Sequence, residues 1–146
     1  MKSSRRRARE YVLQAIYQWY VAGNEPNDIQ RNIAEDPPFA KIDGDFFAQL
    51  FRGAIENAPE LESTIGAAID RPHAELSPIE KSILLLAVYE FAHMPETPYR
   101  VVINEAIELA KSFGGTDGHK YVNGVLDKLG PALRPNEQRA ARSSGT

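Results

Sequence analysis

The chain has 146 residues, 42% of them hydrophobic, which is enough to close one core in a single domain. It contains no cysteine, which excludes a disulfide framework, a thiolate zinc site and a cysteine nucleophile. Its formal net charge of −3 by itself argues weakly against binding to nucleic acid.

The charge is distributed unevenly along the chain. The first nine residues carry no acid and five bases, which are Lys2, Arg5, Arg6, Arg7 and Arg9. From Arg134 onward there are three arginines against Glu137, so residues 10–133 hold 9 lysines and arginines against 19 acids and have a net charge of −10. A local basic patch on an acidic body favours a directed contact with a polyanion over a general coating.

No apolar run approaches the roughly 20 residues that span a bilayer, since the longest, residues 83–89, is followed by Glu90. Glu10, Gln14 and Gln18 interrupt any signal-peptide segment after the basic start. We therefore expect no membrane partner and a cytoplasmic location.

Apolar residues near the start of the chain recur on one helix face. They are Ala8, Val12, Ala15, Ile16 and Trp19. This spacing predicts a first helix from Ser3 to about Ala22, and Pro26 opens a shorter second one. The run Asp36-Pro37-Pro38 ends the second helix and predicts a loop.

Two more amphipathic helices are predicted in the middle of the chain, one after Asp43 and one from around Pro59 up to Pro72. Their inward positions are Phe47, Leu50, Phe51 and Ala54 in the third helix and Leu61, Ile65, Ala68 and Ile69 in the fourth.

The fifth helix has the clearest start signal in the chain. Ser77 is the expected N-cap, Pro78 the first helical residue, and Glu80 is placed to reach back and complete a capping box. Every residue from 83 to 88 is apolar, so we expect this helix to be central and surrounded by the others.

A sixth helix is predicted from about Pro98 to Phe113, with Gly114 as a left-handed residue at its C-terminus. A seventh is predicted to end where Gly130-Pro131 breaks it. No segment alternates in polarity as a strand would. The sequence thus predicts an all-α globular bundle of about seven helices over residues 1–135, with a disordered basic tail at 136–146.

The bases of the first helix form a predicted patch. Steps of 100° per residue place four of them within an arc of about 100°: Lys2, Arg5, Arg6 and Arg9. Arg7 lies about 200° from Arg5 and faces away. Guanidinium groups bind phosphates, and Tyr17 and Tyr20 lie near enough to stack on unpaired bases, which favours single-stranded RNA. The alternative is a solvated charge run beside core tyrosines.

The glycine-rich segment at residues 114–120 has neither the spacing of a phosphate-binding loop nor a preceding strand. A more modest prediction is that it places Lys120 and Tyr121 at the start of the seventh helix, where free N–H groups favour an anion. A simple turn between two helices remains the alternative.

No pattern of catalytic or metal-binding residues emerges. The three histidines, His73, His93 and His119, lack ligand spacing. The polar residues of the sixth helix, Asn104, Glu105 and Glu108, are interpreted as a solvated face, with Glu108 pairing to Lys111. We therefore expect no metal, no cofactor and no enzyme.

Three segments together resemble the NusB family of transcription antitermination factors, over about residues 2–135. They are the run from Arg5 to Tyr17, the helix opened by Glu80-Lys81 that leads to Tyr89-Glu90, and residues 102–114 with 119–128. The last segment is the most specific, while residues 21–75 carry little of the resemblance.

The resemblance implies two small helical subdomains and a partner, the small-subunit ribosomal protein NusE. It implies that the pair binds the boxA element of ribosomal RNA leaders and acts on RNA polymerase indirectly. By position, the implied RNA-contacting residues are Arg5, Arg6, Arg7, Arg9, Asp117, Lys120 and Tyr121. Tyr17 and Glu80 correspond to positions at or near the NusE contact.

Two alternatives stay open. The same helical domain resembles the N-terminal part of a ribosomal RNA cytosine methyltransferase, but this sequence contains no glycine-rich strand–turn–helix for the methyl donor. The second alternative is a structural module that self-associates. A homodimer of the free protein is also compatible with the sequence.

Overall fold

The computed structural model describes residues 3–69, 76–115 and 117–137. Within those ranges the chain forms seven α-helices and one 3-10 helix, and no strand. The helices are α1 (Ser4–Ala22), α2 (Pro26–Ala34), α3 (Gly44–Glu56), α4 (Ala58–Gly66), α5 (Pro78–His93), α6 (Tyr99–Phe113) and α7 (Gly118–Leu133), with the 3-10 helix η1 (Pro37–Lys41) between α2 and α3. The predicted all-α class is confirmed. None of the described helices is long and apolar enough to cross a membrane.

Three helices begin at residues whose side chains cap them, and the predicted N-cap at Ser77 is confirmed. The hydroxyl of Ser3 accepts from the backbone N–H of Arg6 at 3.1 Å, and Asp43 accepts from Phe46 at the same distance. The Ser77 hydroxyl accepts from the N–H of Glu80, also at 3.1 Å. Each cap satisfies one of the backbone donors that a helix N-terminus leaves unpaired.

α5 is the central helix, as predicted. Each residue from 82 to 91 is buried, and the helix packs against α1, α3, α4, α6 and α7. A helix without a polar face has to be surrounded, so the run of apolar residues determines its position in the bundle.

Gly114 does not adopt the predicted left-handed conformation. Its φ of −89° and ψ of 179° are extended, so that prediction is wrong. A glycine is still required for steric reasons, because a Cβ at this position would lie 2.7 Å from the carbonyl oxygen of Ala110. That oxygen accepts from the Gly114 N–H at 2.8 Å, and the close approach ends α6.

Pro131 does not break α7, which continues to Leu133. The predicted break is wrong because the proline lies in the last turn, where it removes only its own hydrogen bond to the exposed Asp127. The bond at the end of the helix is intact, from the Arg134 N–H to the carbonyl of Gly130 at 2.7 Å. The predicted loop at Pro37 is likewise replaced, in this case by η1.

Arg134 holds the C-terminal end of α5. Its guanidinium donates from Nε to the carbonyl of Phe91 at 2.7 Å, and from Nη2 to the carbonyls of Glu90 and Met94 at 3.1 Å each. The side chain is 6% exposed. These bonds satisfy carbonyls that the end of the helix would otherwise leave unpaired.

Glu137 connects this arrangement to α6. Its carboxylate is paired with Arg134 and accepts from the backbone N–H of Tyr99 at 2.8 Å. The packed part of the chain therefore extends at least to Glu137, inside the segment predicted as a tail. The rest of that segment, residues 138–146, lies outside the described residues.

Candidate nucleic-acid interface

The first turns of α1 present successive arginines to different surroundings, because each residue is rotated by about 100° from the one before. The side chains of Arg5 and Arg6 are 51% and 42% exposed, whereas that of Arg9 is 4% exposed. Lys2, the remaining member of the predicted patch, lies outside the described residues.

Arg5 and Arg6 are each held through Nε. The Arg5 guanidinium lies over the ring of Phe46, 4.6 Å from its centroid, and its Nε donates to Asp43 at 3.4 Å. Nε of Arg6 donates to both carboxylate oxygens of Glu105, at 3.2 and 2.9 Å. Neither Nη edge forms a hydrogen bond with the described part of the chain, so both edges face solvent and can receive a phosphate.

Arg9 is not part of an exposed patch, and that expectation is wrong. Its Nε and Nη2 donate to the two oxygens of Glu90 at 2.7 and 2.9 Å, and its Nη1 lies 3.6 Å from Glu105. Arg9 and Glu90 are both buried. The helical arc correctly places Arg9 beside Arg5 and Arg6. At the position of Arg9, however, α1 already packs against α5.

Glu105 connects the exposed and the buried arginine. Its side chain is 13% exposed, so the expected solvated face is wrong for this residue, whereas Glu108 and Lys111 do form the predicted exposed pair at 3.9 Å. Arg6 and Arg9 are three residues apart and meet the same carboxylate. The sequence does not reveal this partner, because it lies 99 positions beyond Arg6.

Arg7 points to a different surface, as the helical arc predicts. It lines a groove of about 760 Å³. The other walls of this groove come from α1, from η1 and the residue before it, from the start of α5 and from the end of α6. The lining residues are Arg7, Glu10, Tyr11, Leu13, Gln14, Tyr17, Asp36, Pro38, Ile79 and Phe113. We call this the α1 groove. Tyr17 and Phe113 are its exposed aromatic residues, at 37% and 47%.

Tyr11 fixes one wall of the α1 groove. Its hydroxyl donates to Asp36 at 2.5 Å, and its ring meets the edge of Phe39 with centroids 5.4 Å apart. Burial, followed by the hydrogen bond to Asp36 and the charge of that carboxylate, raises the pKa of Tyr11 to about 12.

Glu80 follows Ile79, a lining residue of the α1 groove, and is not itself part of the lining. Its backbone N–H donates to the Ser77 hydroxyl, but its carboxylate accepts no hydrogen bond from the backbone N–H of Ser77, so the predicted capping box is only half formed. Its Oε2 is buried and has no hydrogen-bond partner among the described residues. A buried carboxylate oxygen without a donor is unfavourable, so rotation of this side chain toward a donor would be favourable.

Tyr20, which the sequence placed near the basic patch, faces another part of the molecule. Its hydroxyl donates to Glu62 at 3.2 Å, and Nζ of Lys81 lies 5.9 Å from its ring centroid. Burial and then the charge of Glu62 raise the pKa of this phenol well above its usual value.

The predicted residues of α7 form a separate surface. Asp117 and Lys120 make an exposed ion pair at 3.5 Å. Lys120 and Tyr121 line a groove of about 170 Å³ together with Ala68, Ile69 and Lys128, and none of the described arginines of α1 belongs to that groove. Within the described ranges, no group of three or more histidine or acidic side chains is arranged to hold a metal ion.

Comparison with known proteins decides the family. The model of the NusB family matches residues 6–130, which is most of the chain. The chain belongs to the NusB family. The match includes the region between residues 21 and 75, in which the sequence motifs alone carried little resemblance.

Curated NusB-family relatives match over nearly the whole chain. The transcription antitermination protein NusB of Azoarcus sp. (strain BH72) is 53% identical over 143 residues, which are 97% of this chain and 92% of that protein. The protein of the same name from Neisseria meningitidis serogroup A is 50% identical over 139 residues, covering 95% and 99%.

Solved NusB structures share the fold. NusB from T. maritima superposes with a TM-score of 0.82 at 29% identity, covering 96% of this chain and 99% of that one. A structure of the antitermination factors NusB and NusE in complex with double-stranded RNA also reaches 0.82, at 23% identity and with coverage of 90% and 99%. At that identity the second likeness supports the fold alone.

Within this NusB-family fold, the sequence missed three features of the interface. These are the burial of Arg9, the bridging position of Glu105, and the walls of the α1 groove that come from η1, α5 and α6. Each depends on a contact between distant parts of the chain. Only Glu105 had a local signal in the sequence, which is an acidic residue on an amphipathic helix. The same signal is equally typical of a solvent-exposed helix face.

Proposed function

We propose that this chain is an RNA-binding transcription antitermination factor that pairs with a NusE-type ribosomal protein. The pair binds the boxA element of ribosomal RNA leaders in the cytoplasm and supports processive elongation, reaching RNA polymerase indirectly. The observation that carries the proposal is the family match over residues 6–130, together with two exposed guanidinium edges at the start of α1.

The proposed RNA surface begins at Arg5 and Arg6. Both guanidinium groups are fixed at Nε and present Nη to solvent, which is the geometry that receives a phosphate through two parallel hydrogen bonds. Lys120 adds an exposed charge on α7, and Tyr121 a ring on which an unpaired base can stack. Asp117 restrains Lys120 through their ion pair.

Arg7 and Arg9 take different places in this proposal. Arg7, at the edge of the α1 groove, lies where an RNA strand and a protein partner would adjoin. Arg9 supports the surface from beneath, because its guanidinium is already occupied by Glu90 and Glu105. Replacing an occupied buried guanidinium would disturb the fold before it disturbed a phosphate contact.

The proposed NusE contact lies at the α1 groove. Tyr17 presents a half-exposed ring to it, and Glu80, which follows the groove residue Ile79, keeps a buried carboxylate oxygen without a described donor. Ribosomal proteins are usually basic, and a basic side chain would donate to this carboxylate once the side chain turned outward. Aromatic rings that border a partly apolar groove are typical anchors of protein interfaces.

The test is a pair of titrations with separable results. Isothermal calorimetry measures NusE binding to wild-type protein, to Glu80→Lys and to Glu60→Lys, an exposed acid of α4 that serves as the charge-matched control. RNA binding is measured on the same proteins with a short single-stranded boxA RNA and with a scrambled RNA of equal length. Circular dichroism first verifies that each variant is folded.

We expect Glu80→Lys to weaken NusE binding strongly and Glu60→Lys to leave it close to wild type, with RNA affinity little changed in both. Equal NusE affinity in all three proteins would refute the assignment of Glu80. Absence of any preference for boxA over the scrambled RNA, with or without NusE, would refute the RNA role.

A binding role without catalysis is part of the proposal. Incubation of the protein with ribosomal RNA and a methyl donor should transfer no methyl group, and transfer would favour the methyltransferase alternative. Sedimentation of the protein without partners measures whether the free chain is a monomer or a homodimer.

A further inference from the structure

The carboxylate of Glu105 meets both an exposed and a buried arginine of α1, Arg6 and Arg9. On one side both of its oxygens accept from Nε of Arg6, at 3.2 and 2.9 Å. On the other side its Oε1 lies 3.6 Å from Nη1 of Arg9. Arg9 in turn is fixed by two hydrogen bonds to Glu90 on the central helix.

This chain of contacts connects a solvent-facing guanidinium to the buried central helix of the bundle. Glu90 is 1% exposed, Arg9 is 3% exposed, and both lie in contact with the packed core of α5. An arginine side chain has several rotatable bonds, and it loses that freedom whenever it is held in one orientation for a ligand. In this structure Arg6 is already held.

We propose that Glu105 is a positioning residue for RNA binding. It orients Arg6 through Nε and leaves the Nη edge directed outward, so that a phosphate meets a guanidinium already in place. The inference rests on the proposed RNA-binding function and adds a residue that never contacts RNA itself. Prior orientation increases affinity because less conformational entropy is lost on binding.

The charge of Glu105 acts in the opposite direction. A carboxylate close to a phosphate site repels the phosphate and partly cancels the positive charge of Arg6. Glutamine and alanine separate the two effects. Glu105→Gln keeps an oxygen that can accept from Nε but removes the charge, whereas Glu105→Ala removes both the charge and the acceptor.

The experiment measures the affinity of the full chain for a short single-stranded boxA RNA by fluorescence anisotropy at fixed salt. The variants are Glu105→Ala, Glu105→Gln, Arg6→Ala and the double variant Arg6→Ala/Glu105→Ala. Glu108→Ala is the matched control, since it removes an exposed acid one turn further along α6. Thermal melts verify that the variants remain folded at the temperature of the titrations.

We expect Glu105→Ala to weaken RNA binding by about two- to tenfold, the range that one ordered hydrogen bond contributes. Glu105→Gln should bind at least as tightly as wild type. In the Arg6→Ala background, Glu105→Ala should weaken binding no further, because the residue acts through Arg6.

Three results would overturn the proposal. Tighter binding in both Glu105 variants would make the carboxylate a repulsive charge only. Equal additional weakening by Glu105→Ala with and without Arg6 would make its role purely structural, and unchanged affinity in Glu105→Ala would give it no role. A failure of the proposed RNA-binding function gives a different result from a failure of the Glu105 proposal. In that case the wild-type protein would not prefer boxA over the scrambled RNA.

Discussion

Arg9 and Glu90 join α1 to α5 across 81 positions of sequence, through two hydrogen bonds of 2.7 and 2.9 Å. The side chains are 4% and 1% exposed, so the pair is shielded from water. An ion pair of this kind adds little net stability compared with apolar residues of the same size, but removal of one partner leaves a buried charge alone. Each of the two residues therefore depends on the other for a partner where α1 packs against α5.

The first prediction concerns this pair. Arg9→Met should reduce the free energy of unfolding by about 3–5 kcal/mol, because Glu90 keeps its buried charge without its main partner. Urea denaturation measures the loss. Arg31→Met, which removes an exposed arginine paired with Asp28, should change stability by less than about 1 kcal/mol. The double variant Arg9→Met/Glu90→Leu should recover most of the loss, and a loss as large as in Arg9→Met would contradict this account of the pair.

The second prediction concerns the exposed arginines. The double variant Arg5→Ala/Arg6→Ala should stay folded and should reduce the slope of log affinity for single-stranded RNA against log salt by about 1.4, at about 0.7 per phosphate contact. Anisotropy titrations over a range of salt concentrations measure it. Arg31→Ala/Arg100→Ala removes the same charge from exposed positions of α2 and α6 and should leave the slope nearly unchanged. A slope equal to that of wild type in the first variant would exclude these two residues as phosphate contacts.

The third prediction separates the two halves of the capping box at α5. Ser77→Ala should destabilise the protein by about 1 kcal/mol, since the hydroxyl accepts from the N–H of Glu80. Ser77→Asp should retain most of the stability, because aspartate is also a good N-cap. Glu80→Ala should change stability by less than about 0.5 kcal/mol, as expected when the carboxylate makes no capping bond. Thermal melts distinguish these outcomes, and equal losses for Ser77→Ala and Glu80→Ala would restore the complete capping box.

The fourth prediction concerns pH. The folded protein raises the pKa of Tyr11 to about 12, from 10.0, so folding favours the neutral phenol. The resulting stability is fully present below pH 10.0 and is lost as the pH rises through about 12. Tyr11→Phe should therefore be less stable than wild type at pH 8, and the difference in free energy of unfolding should shrink above pH 10.

Urea denaturation at several pH values tests this. Asp36→Asn is the companion variant, because it removes the charge that helps to keep the phenol neutral and should reduce the dependence on pH between 10 and 12. A difference between wild type and Tyr11→Phe that stays constant across that range would show that the phenol titrates alike in the folded and unfolded chain.

Local signals in the sequence determined where the main helices begin and which of them is central. Ser3 and Ser77 are caps because a hydroxyl reaches an N–H three residues ahead whatever the rest of the chain does. Residues 83–88 are apolar on every side, which leaves α5 no position except the interior. The motifs in α1, α6 and α7 were also sufficient to indicate the family.

Only the tertiary structure decided the surroundings of each charge. Helical spacing placed Arg5, Arg6 and Arg9 on one face of α1. The packing of α5 and α6 against α1 buried Arg9 and left Arg5 and Arg6 exposed. Arg134, one of the three arginines that make the C-terminal end of the chain basic, binds three carbonyls at the end of α5. The hydrogen-bond partner of Arg9 and the three carbonyl partners of Arg134 lie 40 or more positions away, so these contacts depend on how the helices pack rather than on the spacing of residues within any one helix.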